Sequence, residues 1–178
     1  MIDHVGTVPA DREEHSMPSQ IVPNLWFDGQ AEEAAEFYIS VFDDGRILNV
    51  ARYTEAGPGE PGSVMTVEWE LRGQRFIGIN GGPQFQFSEA VSFLVECEDQ
   101  AEIDRYWDAL TADGGSEGPC GWCKDRYGLS WQVVPRGMDE LFADPDASRA
   151  ARAMKAMFGM RKLDVAALKA AADGVPAA

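Results

Sequence analysis

The stretch NLWFDGQAE at residues 24–32 is answered by LVECEDQAE at 94–102, and both share the same Gln-Ala-Glu run. A folding unit written twice constrains a chain strongly, because a unit that cannot bury its own apolar face has to pair with its copy. Helix starts favour acidic residues, and that preference alone produces some likeness. The common order of elements around the two stretches argues for duplication.

Hydrophobic periodicity supplies that order. Ile21 to Phe27 reads as a short strand, followed by an Asp28-Gly29 turn. A helix then presents Ala31, Ala34, Ala35, Tyr38 and Phe42 on one face and stops at Asp43-Asp44-Gly45. Strands are predicted over 46–53, 64–71 and 75–80. The middle one alternates, with Met65, Val67, Trp69 and Leu71 on one face and Thr66, Glu68 and Glu70 on the other. The second half repeats the plan. Ala90 to Cys97 reads as a strand with Val91, Phe93, Val95 and Cys97 on one side. Asp99 and Glu102 make a capping-box-like helix start. The helix buries Ile103, Tyr106, Trp107 and Leu110, ends at 112–115, and is followed by short strands around Asp125-Arg126-Tyr127-Gly128, the last over 129–134.

These spacings define an α+β chain of paired βαβββ modules forming a curved, half-open mixed sheet with helices outside. The expected division is a tail over 1–19, a domain over 20–137 with modules 20–88 and 89–137, and a helical extension over 138–178. In that extension Asp146 or Ser148 caps a helix with Ala151, Met154, Met157 and Phe158 on one stripe. Asp164 opens a last helix through Val165 and Leu168 that ends at Gly174. The apolar stripe reads as core or subunit contact.

With 178 residues, roughly 70% of the unfolded surface can be buried, so no disulfide or metal staple is required. The 15 basic residues against 30 acidic ones leave a net charge of −15, which argues against nucleic acid and anionic membranes as partners. No run approaches the ~18 apolar residues of a membrane span. The first 20 residues lack a basic-then-apolar signal pattern. Together with three cysteines, an odd number, this sets the expectation of a cytoplasmic protein with reduced thiols.

Four stretches carry a family likeness: PNLWFDGQAEEAAEFY, the NGGPQFQF strand exit, AVSFLVECEDQAEIDRYWDAL and DRYGLSWQVVP. With the doubled plan, the chain resembles the PhnB-like branch of the vicinal-oxygen-chelate superfamily, which includes glyoxalases, bleomycin-resistance proteins and extradiol dioxygenases. That branch is often labelled 3-demethylubiquinone-9 3-methyltransferase. The resemblance implies a cavity assembled from paired modules, a homodimer and, in the superfamily's enzymes, one divalent metal held by two residues from each half. Carried onto this chain, those positions fall on Val22, Ile77, Ser92 and Gln132, with Glu68 as a nearby carboxylate. A catalytic cation site needs about three imidazole or carboxylate ligands, and both histidines, His4 and His15, lie in the tail. The expectation is therefore no metal site.

The label also implies adenosylmethionine, which enters only if the labelled activity holds, and no cofactor is otherwise expected. A nucleotide-type site needs a strand, a glycine-rich loop and then a helix. The glycine cluster GINGGP at 78–83 is followed by a proline, QFQF and another strand. The Cys120-Gly121-Trp122-Cys123 pair precedes a strand, whereas a redox pair opens a helix. These thiols read as dispensable, although Lys124 stands beside Cys123 to favour a thiolate.

Alternation puts Leu25, Phe27, Phe93, Val95, Trp131 and Val133 under the helices. The opposite side carries Val22, Asn24, Trp26 and Ile77 from the first half, and Ser92, Leu94, Ser130 and Gln132 from the second. Asn80 stands at the strand exit, and Phe85, Phe87 and Trp122 come from loops at the rim. An apolar, aromatic hollow with a few neutral hydrogen-bonding groups suits a small, neutral or aromatic molecule. Ser92 and Gln132 either select that ligand, satisfy each other or bind water, and Trp26 and the loop aromatics either line the hollow or serve as core or dimer contact. Three functions follow: a metal-independent small-molecule binder, a methyltransferase or other enzyme with catalytic residues unassigned, and an interaction protein working through its helical extension.

Overall fold

The structure is a computed structural model that describes residues 20–175. The segment 1–19, with His4 and His15, and residues 176–178 lie outside the described residues. The first module runs β1 (Asn24–Phe27), α1 (Ala31–Phe42), β2 (Gly45–Arg52), β3 (Val64–Leu71) and β4 (Gln74–Asn80). The second runs β5 (Ser92–Cys97), α2 (Gln100–Thr111), β6 (Ser116–Glu117), β7 (Trp122–Lys124) and β8 (Ser130–Pro135). Each builds a four-stranded mixed sheet, β1-β4-β3-β2 and β5-β8-β7-β6. In both, the first strand pairs in parallel with the last and the other pairs are antiparallel. The repeat read from two short stretches is thus a repeat of topology.

The helices lie against one face of each sheet for local reasons. Along α1 the small residues Ala31, Ala34 and Ala35 are fully buried, which lets the helix approach the sheet closely. A Cβ added at Gly78 would stand 3.0 Å from the Ala31 methyl. Asp43, in the left-handed conformation at φ 56°, ends the helix. At α2, Asp99 Oδ1 accepts from the Glu102 N–H at 2.9 Å, while Glu102 Oε2 accepts from the Glu98 N–H. The predicted cap therefore forms, with the glutamate reaching one residue further back.

One aromatic core joins the modules. Phe42 packs on Trp131 with centroids 5.2 Å apart, Tyr38 on Trp131 at 5.5 Å and Phe76 on Phe93 at 5.4 Å. At its centre Asp125, buried to 2% exposure, takes four hydrogen bonds. Tyr38 Oη donates to Oδ2 at 2.9 Å and Trp131 Nε1 at 2.8 Å, while the backbone N–H groups of Tyr127 and Leu129 donate to Oδ1. Burial pushes the Asp125 carboxyl upward and the four donors pull it back. Burial and the facing carboxylate push the Tyr38 phenol well up. This aspartate turns its own loop and pins the first module's helix to the second module's sheet.

Three helices follow: α3 (Met138–Phe142), α4 (Ala147–Met157) and α5 (Val165–Asp173). Leu163 and Leu168 form a small second core with Val134. Gln100 is the clasp, donating to the Leu163 carbonyl at 3.1 Å and accepting from the Val165 N–H at 2.9 Å. Among the described residues no helix is long and apolar enough to cross a membrane.

Three sequence expectations need correction. β1 begins at Asn24, not Ile21, because Pro23 has no N–H to donate; Ile21 is exposed, though the Pro23 carbonyl still accepts from Ile77 N. β5 begins at Ser92, leaving Val91 exposed. On α4 the fully buried residue is Ala153, while Ala151 and Met154 face outward and Phe158 is 68% exposed. Of the predicted stripe only Met157 packs inward, against the second core, and Arg152 beside Ala153 donates to the Ala172 carbonyl of α5.

Candidate functional site

The sheet faces turned away from the aromatic core carry the candidate residues. In the first module Asn24, Ile77 and Glu68 stand in register across β1, β4 and β3. In the second, Leu94, Gln132 and Trp122 align across β5, β8 and β7, and Ser92, Ser130 and Lys124 form the next row. The residues expected under the helices, Leu25, Phe27, Val95, Trp131 and Val133, are buried there.

Several candidates already have partners. Gln132 Nε2 donates to Ser92 Oγ at 2.8 Å, so of the readings for this pair, mutual satisfaction describes the structure. Glu68 Oε2 accepts from Arg75 at 2.7 Å. Asn80 is engaged at both ends of its amide: Oδ1 accepts from the Ala31 N–H at 2.9 Å and Nδ2 donates to the Val64 carbonyl at 3.1 Å. It therefore anchors the start of α1 to the sheet. Asn24 donates to the Val22 carbonyl, and Val22 precedes β1. Phe87 packs edge-on against Phe27 at 5.4 Å and belongs with the core, whereas Phe85 is 66% exposed and meets Trp26 at 5.0 Å.

The glycine cluster has a packing explanation. Trp26 Nε1 donates to the Gly82 carbonyl at 2.8 Å, and a Cβ at Gly81 would fall 2.0 Å from the same indole. The Gly81 and Gly82 N–H groups both point to the Phe27 carbonyl. Amides spent on backbone and an approach filled by tryptophan leave no cradle for a cofactor's anionic groups.

The positions that the resemblance implies for a metal carry neither imidazole nor carboxylate. Two are aliphatic, and the other two are a hydroxyl and an amide bonded to each other. Among the described residues no group of three or more His, Cys, Asp or Glu side chains converges. These residues do not fit a divalent cation, which needs about three ionised or imidazole donors.

The thiols are placed for structure. Cys97 and Cys123 are buried, and burial pushes both up to about 12. Lys124 gives Cys123 no help, since its Nζ pairs with Glu89 at 2.6 Å. The loop between the cysteines serves the extension: Cys120 N–H donates to the Met160 carbonyl and Gly121 N–H to the Arg161 carbonyl, each at 2.8 Å. Gly121 has φ +82°, and a Cβ there would meet the Val133 carbonyl at 2.8 Å. The stretch that looks like a redox motif is a docking loop.

Three cavities divide the candidates. One of about 470 Å³ belongs to the second module and includes Trp122, Lys124, Ser130 and Glu89 in its wall. One of about 380 Å³ lies at the seam, where Trp26, Phe85 and Phe87 meet Lys124, Arg126 and Tyr127. A third, of about 360 Å³, is bordered by Leu94, Phe76 and Arg136. Val22, Asn24, Glu68, Ile77, Asn80, Ser92 and Gln132 line none of the three. Sequence reasoning gave Lys124 no place in the hollow. Strand alternation contained the signal, since Lys124 lies two residues after Trp122 and shares its face.

The profile of the family described as 3-demethylubiquinone-9 3-methyltransferase matches residues 19–134, which span both modules. The chain belongs to this family. It is a PhnB-like member of the vicinal-oxygen-chelate superfamily. A PhnB protein from Bacillus cereus, carrying the same methyltransferase description, is 36% identical, with a TM-score of 0.59 over 66% of this chain and 99% of that one. The protein PA1353 from Pseudomonas aeruginosa shares the fold at 20% identity, with a TM-score of 0.55 over 66% of this chain and 97% of that one. No curated protein matches. The family match ends at Val134, within β8 and before the helical extension.

Proposed function

We propose that the chain is a small-molecule-binding member of the PhnB-like branch whose metal site has degenerated. The observation that carries this is the amide-to-hydroxyl bond between Gln132 and Ser92, on the strands where the superfamily's enzymes hold a cation. A neutral, mutually satisfied pair beside Leu94 and Trp122 makes a wall suited to neutral or aromatic ligands. Leu94 is 54% exposed on a sheet face that no described residue covers, so we place a second copy over it in a homodimer. Mass spectrometry under native conditions tests the reading: one small organic molecule retained per site supports it. A dimer structure whose hollow is filled by the protein's own side chains overturns it.

The family description favours a second reading, a quinone-type O-methyltransferase. Calorimetric titration with adenosylmethionine separates the two. The binding module gives no heat, and saturable binding at one site per chain decides for the enzyme.

A further inference from the structure

Resting on the reading of the hollow as a small-molecule site, the geometry points to its ligand class: the second module's cavity takes a planar aromatic molecule bearing a single carboxylate. Trp122 forms the wall, and Lys124 and Ser130 are the polar anchors.

Ser130 is the starting observation. It is 1% exposed, it forms part of the cavity lining, and its hydroxyl has no hydrogen-bond partner. Two polar side chains close to it along the strands are satisfied. Asp125 holds four donors and Ser92 accepts from Gln132. Buried hydroxyls without partners are rare and costly, and folds keep them mainly where a site uses them. Alanine would occupy the same strand position without that cost.

Lys124 defines the charge. It pairs with Ser130 across β7 and β8, so both project from one face of the sheet. Its partner Glu89 is 66% exposed at its side chain. An ion pair this open contributes little, so a ligand carboxylate can take Glu89's place on the ammonium and accept from the Ser130 hydroxyl. Lys124 is the one cation in the described lining, and Glu89 and Glu117 stand in the same wall. With one cation against two carboxylates the lining is already at −1, so a ligand carboxylate is accepted only by displacing Glu89 from Lys124, and a second negative charge is repelled. Glu117 is held by Trp107 and Arg161, which leaves the Trp122 indole as the flat apolar surface for an aromatic ring.

The test uses the full chain with 2-naphthoate and its neutral isostere 2-naphthamide, followed by calorimetry. The acid is expected to bind about tenfold or more tightly than the amide. Lys124→Met should abolish that preference. Ser130→Ala should weaken the acid at least about fivefold while raising the ligand-free Tm by about 2–4 °C, because an unpaired buried group is removed. Equal affinity for acid and amide overturns the carboxylate assignment and leaves the hollow a ligand site. A Ser130→Ala variant that melts lower, with unchanged affinity, makes the hydroxyl structural and overturns its role. Absence of binding by both probes overturns the proposal, and the retained-mass experiment on the untreated protein judges the parent reading separately.

Discussion

The two modules share a plan and differ in how their open faces are finished. In the first, β2 and β3 each run eight residues, and ion pairs Arg46–Glu70 and Arg75–Glu68 cover the outer face at 2.9 and 2.7 Å. In the second, the equivalents β6 and β7 shrink to two and three residues, and a cavity opens beside them over Ser130. The core-side positions match because both modules press the same kind of face into one aromatic cluster. Packing constrains that side to within a methylene. The open side carries no such constraint, so divergence collects there, together with any selectivity for ligands.

If the core side is where the modules depend on each other, breaking the Asp125 pin should have the largest effect. Asp125→Ala strands two side-chain donors and two backbone N–H groups in the core. At about 1–3 kcal/mol for each buried unpaired group, a loss of more than about 3 kcal/mol is expected in chemical denaturation. Gly81→Ala comes next, since its methyl overlaps the Trp26 indole. Overpacking of this kind costs about 1–3 kcal/mol, and a shifted tryptophan emission should accompany it.

The thiols sharpen the comparison by pH. With folded values of about 12 for Cys97 and Cys123, the thiol is favoured over the thiolate in the fold. Their contribution is complete below about pH 8.5, the unfolded value, and is lost as pH rises toward 12. Native protein at pH 8 should therefore react at Cys120 alone with a disulfide reagent, and at all three cysteines once unfolded. Stability should fall in the alkaline window. The smallest effect belongs to the first module's open face, where Glu68→Gln should change stability by less than about 0.5 kcal/mol. A large loss there would show that the outer charges hold the sheet together, against the division drawn between the two sides.

Much of the fold was legible because it rests on periodicity. The core residues of α1 and α2 and the alternation of β3 follow directly from 3.6- and 2-residue spacing. The strand starts were less so: hydrophobic letters at Ile21 and Val91 continue the pattern after pairing has ended. The stripe on α4 was right at Met157, which packs on the second core, but Ala151, Met154 and Phe158 are as helically spaced as the buried Ala153, and the spacing alone does not choose between them. Site residues were legible as a face but not as a place. Alternation put Gln132 and Ser92 on the open side, but no local pattern says that they bond each other. Nor does it show that Cys120 and Gly121 hold the extension by their amides, or that Ser130 lies unpaired beneath Lys124.

The most direct test of a hollow that works without a cation is elemental analysis of the full chain. It should be purified without chelator and then titrated calorimetrically with manganese, iron, nickel and zinc. The expected result is less than stoichiometric metal and no saturable heat at the strands bearing Ile77, Ser92 and Gln132. One tightly held divalent ion per chain, lost on Gln132→Ala and fixed by side chains from both modules, would contradict it.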